Sequence, residues 1–172
     1  MIVSLPEPIR PDHDVSAFSC GKPALNRWLR ERAVSNQQKG FTAVMVVQAQ
    51  ERVVGFYGLA PTAVVPGFFP RAIRTGQPPD PVPCILLGQL AVDQTYAGCG
   101  VGNGLLKHAL QRSIMAAGLI GGRALMVNAI DEEAQAFWAS RGFTPTRDDP
   151  MLLYRSIADI AKSLAVAGLS VR

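Results

Sequence analysis

The sequence predicts an α/β fold, on three observations. Strand-like and helical patterns alternate through the second half of the chain. A run that reads as a strand buried on both faces ends on a glycine-rich stretch and an amphipathic helix. With 172 residues and 48% hydrophobic composition, there is enough apolar material for one sizeable core. One domain over residues 1–172 is therefore expected. The 17 basic against 13 acidic residues give a net charge of +4, which favours anionic partners without naming one.

The elements follow in order. The apolar "MIVSL" suggests a short first strand. "DVSAFSCGKPALNRWLRERAVSNQQKG" reads as two helical pieces broken near Gly21, with Leu25, Trp28, Leu29 and Ala33 at helical spacing and Arg27, Arg30, Arg32 and Lys39 on the other positions, a solvated face or a nucleic-acid face. "FTAVMVVQAQ" and "RVVGFYGLA" are two strand-like runs joined as a hairpin. Seven prolines between Pro61 and Pro83 argue against regular structure over most of that stretch and for a long surface excursion. "CILLGQLAVD" is the buried strand. From Val101, the residues Leu105, Leu106, Ala109, Leu110 and Ile114 form one helical stripe with Lys107, His108, Gln111 and Arg112 opposite. "RALMVNAI" reads as a strand, "DEEAQAFWASRG" as a helix opened by Asp131 and closed by Gly142, and "MLLYRSI" as a final strand. The tail "SIADIAKSLAVAGL" carries an apolar face through Ile157, Ile160, Ala161 and Leu164, which fits packing on its own body or, as in a homodimer, on a second subunit.

Cys20, Cys84 and Cys99 lie far apart and in no metal-ligand spacing, so a reduced chain in the cytoplasm is expected, with no metal. His13 and His108, without a second ligand at suitable spacing, are read as surface residues. The start has no signal-peptide pattern, and no apolar run of about 18 residues suggests a membrane helix.

The informative stretch is "YAGCGVGNGLLKHAL", where Gly98, Gly100, Gly102 and Gly104 fall at alternate positions between the buried strand and the helix. Such a turn lets backbone N–H groups converge on an anion at the positive end of a helix dipole. A phosphate or pyrophosphate is the expected guest. The spacing matches neither the dinucleotide pattern GxGxxG nor the P-loop.

"LLGQLAVDQTYAGCGVGNGLL" followed by "ALMVNAIDEEAQAFWASRGFTP" resembles the GNAT superfamily of N-acetyltransferases. Its Q/R-x-x-G-x-G/A loop is met by Ala97 to Gly102, with both glycines in place and Ala97 at the first position. Its A-x-x-F-[YW]-x-x-x-G-F pattern is met by Ala134, Phe137, Trp138, Gly142 and Phe143. "FSCGKPALNRWLRERAVSNQQKG" is similar to the N-terminal helices of the GNAT toxins of bacterial toxin–antitoxin pairs, through Phe18, Cys20, Gly21, Leu25, Asn26, Trp28, Leu29, Ala33 and Gln37. The likeness spans nearly the whole chain.

The resemblance implies the GNAT fold, a mixed central sheet with a splayed strand pair flanked by helices. It implies acetyl-CoA as cosubstrate, with acetyl transfer to the α-amine of aminoacyl-tRNA as a translation-blocking toxin, and a ribbon-helix-helix antitoxin as partner. Carried onto this chain, Leu90, Ala91 and Val92 would pair with the pantetheine arm, and Ala97, Gly98, Cys99, Gly100, Val101 and Gly102 would hold the pyrophosphate. Asn128 and Phe137 would line the thiol end, and Trp138 and Gln89 are the candidate catalytic side chains. Many of those toxins have Arg where this chain has Gln89, and Tyr where it has Trp138. That tyrosine serves as general acid, whereas an indole N–H donates a hydrogen bond but keeps its proton. An α-amine, with a pKa of about 7.7–8.0, needs a dedicated base less than a lysine at about 10.4 does. Asp93, at the end of the buried strand, is read as structural or as a proton relay. Two other readings stay open from the sequence: a GNAT enzyme acting on a small amine or a protein N-terminus, and a non-catalytic module that binds acetyl-CoA or a partner.

Overall fold

The computed structural model describes residues 2–166. Its seven strands lie in one mixed sheet in the order β1-β2-β3-β4-β5-β7-β6. By internal contact the chain divides into two compact units, Met1–Ala60 with Gln89–Ala109, and Pro61–Gly88 with Leu110–Arg172.

In the first unit, β2 (Ala43–Ala49) and β3 (Arg52–Val64) form the expected antiparallel hairpin. Gln50 and Glu51 turn the chain with φ of 51° and 62°, the left-handed pair that matches the twist of a two-residue hairpin. The first strand, β1, is Glu7–Pro8, paired to Val46 and Met45 of β2, and not "MIVSL". Within that stretch Ile2 and Leu5 are exposed and have no apolar face to cover, while Met1 lies outside the described residues.

Helices α1 (Pro23–Glu31) and α2 (Ala33–Gln38) break at Arg32 rather than near Gly21. The residues before Gly21 are held instead as a loop, in which the Asn26 side chain accepts from the Cys20 N–H at 2.9 Å and Arg30 donates to the Phe18 carbonyl at 2.8 Å. The apolar side of α1 packs on β3, with Trp28 stacked on Phe56 at 5.9 Å and Phe18 meeting the same ring edge-on at 5.5 Å. Phe18, Leu29, Ala33, Val44, Phe56 and Ala91 belong to one buried cluster.

Both histidines depart from the surface reading. His13 is buried: its Nδ1 accepts from the Arg10 N–H at 2.8 Å, so Nε2 carries the proton and donates to Glu7 at 2.8 Å. Gln48 of β2 donates to the same carboxylate oxygen, which ties the N-terminal loop to the sheet. His108, half-buried, sits 2.6 Å from the hydroxyl of the fully buried Tyr57.

In the second unit, β4 (Val82–Val92) pairs in parallel with β5 (Ala124–Asn128), Ile85–Leu87 against Leu125–Val127. The ladder covers Ile85–Leu87 only, since β5 ends at Asn128 while β4 runs on to Val92. β7 (Leu152–Ser156) pairs antiparallel with β5 and with the short β6 (Thr144–Pro145). The proline-rich stretch holds more regular structure than expected: the end of β3, a short 3-10 turn over Pro66–Phe68, α3 (Arg71–Arg74) and the start of β4. Pro66 opens the turn and Pro70 caps α3, positions where a missing N–H leaves no hydrogen bond unmade. Phe69 and Ile73 are buried anchors, and Arg123 donates to the carbonyls of Ile73 and Ala72. Cys84 is buried in the same cluster, where burial pushes its thiol up to about 11.

Helix α4 (Val101–Ile120) starts at the glycines as predicted, and α5 (Glu132–Ser140) starts on Asp131. The final helix, α6 (Ile157–Val166), buries Ile160 and Leu164 against its own unit; the rest of the predicted tail helix lies outside the described residues.

Candidate active site

In the first unit, the candidate residues are organised around Asp93, at the end of β4. One carboxylate oxygen of Asp93 accepts from the Thr95 N–H at 3.0 Å and the Thr95 hydroxyl at 2.7 Å. The other accepts from the Ser19 N–H and from Arg52, each at 3.1 Å. Burial alone would push this carboxyl up; the four donors outweigh it and bring it down to about 2. An acid so strong stays ionised at neutral pH, so Asp93 organises the loop and does not relay a proton. Arg52 also donates to Thr95 and lies 5.6 Å from the Tyr96 ring, fixing the 3-10 turn Gln94–Tyr96 that leads into the glycines.

After that turn the backbone is bare. Gly98 and Gly100 have φ of 75° and 84°, and a Cβ at either would meet nothing within 4 Å. Glycine is thus required by backbone conformation and by space left open, and not by packing against the protein itself. Among the described residues, the N–H groups of Gly98, Gly100, Val101 and Gly102 have no protein acceptor. The first turn of α4 carries no acidic residue. Unsatisfied N–H groups at the positive end of a 20-residue helix make a cradle for an anion, and a pyrophosphate fits that chemistry. Ala97 and Cys99 are exposed on the same loop, and Leu90 and Val92, half-buried, flank the buried Ala91 at the end of β4 that leads to it.

Gln89 lies on β4 with its side chain over Gly58 of β3: a Cβ on Gly58 would stand 2.6 Å from Gln89 Oε1. Neither Gly58 nor the Tyr57–His108 pair was signalled by the sequence, because their partners lie on other elements.

In the second unit, Asn128 ends β5 with its side chain exposed. Phe137 and Trp138 stand together on α5, edge-to-face at 5.0 Å, and Trp138 meets Phe143 in the same manner at 5.2 Å. Trp138 is only 6% exposed, and the Arg141 guanidinium covers the Phe137 ring at 4.7 Å. The α5 N-terminus is closed by Asp131, which accepts from the Ala134 N–H at 2.8 Å. Among the described residues, no group of three or more His, Cys, Asp or Glu side chains could hold a metal ion, and no helix is long and apolar enough to cross a membrane.

Comparison with known proteins decides what this arrangement belongs to. Residues 40–145 match the acetyltransferase (GNAT) domain family. A tRNA-acetylating toxin of Mycobacterium tuberculosis is 41% identical over 156 residues, covering 91% of this chain and 93% of the relative. The chain belongs to the GNAT acetyltransferase family. Among solved structures, AtaT complexed with acetyl-methionyl-tRNAfMet is similar with a TM-score of 0.84 and 25% identity, covering 97% of this chain and 99% of that one. A tyrosine-to-phenylalanine mutant of the AtaT toxin bound to the C-terminus of the antitoxin AtaR and acetyl-CoA is similar with a TM-score of 0.79 and 26% identity, covering 96% and 99%. Enzymes of this family take their acetyl group from acetyl-CoA, whose pyrophosphate is an anion of the kind that free amides at a helix start suit.

Proposed function

We propose that this GNAT chain transfers acetyl from acetyl-CoA to the α-amine of aminoacyl-tRNA, and that it acts as a translation-blocking toxin in the cytoplasm. The single observation that carries the substrate is the 41% identity, over 91% of the chain, to a tRNA-acetylating toxin. The activity is assigned to one acetyltransferase domain over residues 1–172, restrained by an antitoxin of ribbon-helix-helix type. The similar AtaT structure with the C-terminus of AtaR supports an antitoxin partner. A homodimer would use a surface other than the apolar face of α6, which is occupied by its own unit.

Acetyl-CoA supplies an activated thioester. The chain's own part is to bind and orient. The amides of Gly98, Gly100, Val101 and Gly102 hold the pyrophosphate, the Leu90–Val92 backbone aligns the pantetheine arm, and Ala97 and Cys99 leave the loop open to it. Asn128 and Phe137 are assigned to the thiol end. Trp138 enters as a hydrogen-bond donor and packing residue, not as a general acid. Losing a proton donor costs roughly two to four orders of magnitude in rate. Positioning the reactants supplies about 7–11 kcal/mol, which is the larger effect. A thiol with a pKa of about 8.5 leaves acceptably as thiolate.

The test is to incubate the protein with radiolabelled acetyl-CoA and a mixed pool of charged tRNA. Label is expected on the tRNA and should be released as N-acetyl amino acid when the aminoacyl ester is hydrolysed with mild base. Label on uncharged tRNA, or none on charged tRNA, refutes the reading.

A further inference from the structure

Gln89 Oε1 is a buried side-chain oxygen with no hydrogen-bond partner among the described residues. Its surroundings are built around it. A Cβ on Gly58 would fall 2.6 Å from Gln89 Oε1 and 2.9 Å from Thr42 Cγ2, so the strand gives up a side chain at Gly58 to house the amide. Trp28 Cη2 of α1 closes the same space, 3.6 Å from that point. Leaving a buried carbonyl oxygen without a donor is destabilising, and a glycine inside a strand is destabilising too. A methionine at Gln89 would fill the volume without the orphan. Two departures from what stability alone would select thus meet at one point, and both serve to keep an acceptor in place.

We infer that Gln89 Oε1 accepts a hydrogen bond from the N–H of the substrate's acceptor amine. This inference rests on the aminoacyl-tRNA reading. Gln89 as a whole is half-buried, so a turn of its own side chain brings the amide to the surface while Trp28 stays stacked on Phe56. A neutral α-amine has N–H groups to donate and one lone pair for attack. Holding an N–H at Gln89 turns the lone pair toward the thioester carbon. As the C–N bond forms, the nitrogen becomes positive and its N–H a stronger donor, so the contact tightens on the way to the transition state.

Gln89→Met separates this role from a structural one. The variant is expected to melt at a higher temperature than the wild type, having lost the orphan. Its kcat/KM for charged tRNA should be about ten- to a hundredfold lower, as for a lost hydrogen bond to a charged group, with the KM for acetyl-CoA unchanged. A stabilised variant with unchanged kcat/KM would overturn the inference. Should Gln89→Met fold poorly, Gln89→Glu decides. Its carboxylate would favour the ammonium form of the bound amine, so the rising limb of the pH profile of kcat, which reports the complex, should move to higher pH; an unmoved limb overturns the inference. Wild-type protein that acetylates no charged tRNA refutes the substrate reading itself, whereas an active wild type with unaffected variants refutes only the role of Gln89.

Discussion

Helix α5 begins on Asp131, whose carboxylate accepts from the Ala134 N–H, and continues with Glu132 and Glu133 in its first turn. Helix α4 begins on Val101 after alternating glycines, with no acid in its first turn and with the amides of Gly98, Gly100, Val101 and Gly102 lacking acceptors among the described residues. Both ends carry the same partial positive charge from aligned peptide dipoles. The α5 end is neutralised by its own sequence, so nothing remains there for an anion to gain. The α4 end keeps its donors for something from outside. A helix start therefore says little about function until its cap, its first-turn charge and its free amides are read together.

The contrast can be broken most severely at Gly100. Gly100→Asp puts a carboxylate where the guest anion would lie and a Cβ at a φ of 84°, while nothing within 4 Å obstructs the folded chain. In effect it gives α4 the acid that α5 already has. Acetyl-CoA affinity should fall by on the order of a hundredfold or more, as repulsion replaces a charge-assisted bond. Calorimetry on folded variant with unchanged affinity would remove the loop from the donor site.

A smaller effect sharpens the comparison at Asp93, which sets the turn ahead of α4. Its carboxyl is lowered from 3.8 to about 2 in the folded protein. The stability it contributes is present in full above the unfolded value and is lost as pH falls through the folded one, between about pH 4 and pH 2. The integrated amount is about 2 kcal/mol. Urea midpoints followed down this range should drop in the wild type and show a shallower drop in Asp93→Asn. Equal slopes would mean that the four donors do not act as drawn.

The smallest effect belongs to α5. Asp131→Ala should cost about 1 kcal/mol and lower the melting temperature by about 2–4 °C, with acetyl-CoA affinity unchanged. A loss of affinity equal to that at Gly100 would show that the two helix starts are not functionally distinct.

Both starts were legible in the sequence, because each is written in consecutive residues: glycines after a buried run, and Asp131 three residues before Ala134. The hairpin, β5 and α4 were legible for the same reason, their periodicity being local. Misreadings arose where a partner comes from far along the chain. His13 bonds to Glu7 and the Arg10 N–H nearby, but it is Gln48, 41 residues beyond Glu7, that ties this group to the sheet, and His108, on the polar side of the α4 pattern, pairs with Tyr57, which lies 51 residues away. Two residues suffice for β1 because β2 supplies the other half of its ladder, and no pattern in "MIVSL" could reveal that. Gln89 was singled out, but its missing partner becomes visible only with Gly58, Thr42 and Trp28 in place around it.

The cysteines give the protein a chemical handle that needs no engineering. Cys84 is buried with its thiol pushed up to about 11, so at pH 7 only about one molecule in ten thousand would carry the thiolate that attacks an electrophile. Cys20 is half-buried and donates to the Lys22 carbonyl at 3.6 Å. Cys99 is exposed in the middle of the glycine loop. A maleimide dye added in limiting amount will therefore attach first at Cys99, beside the place where the donor's phosphates are expected. The intensity and anisotropy of its emission become a direct optical readout of loop occupancy, usable for titrations and stopped-flow mixing on the natural sequence.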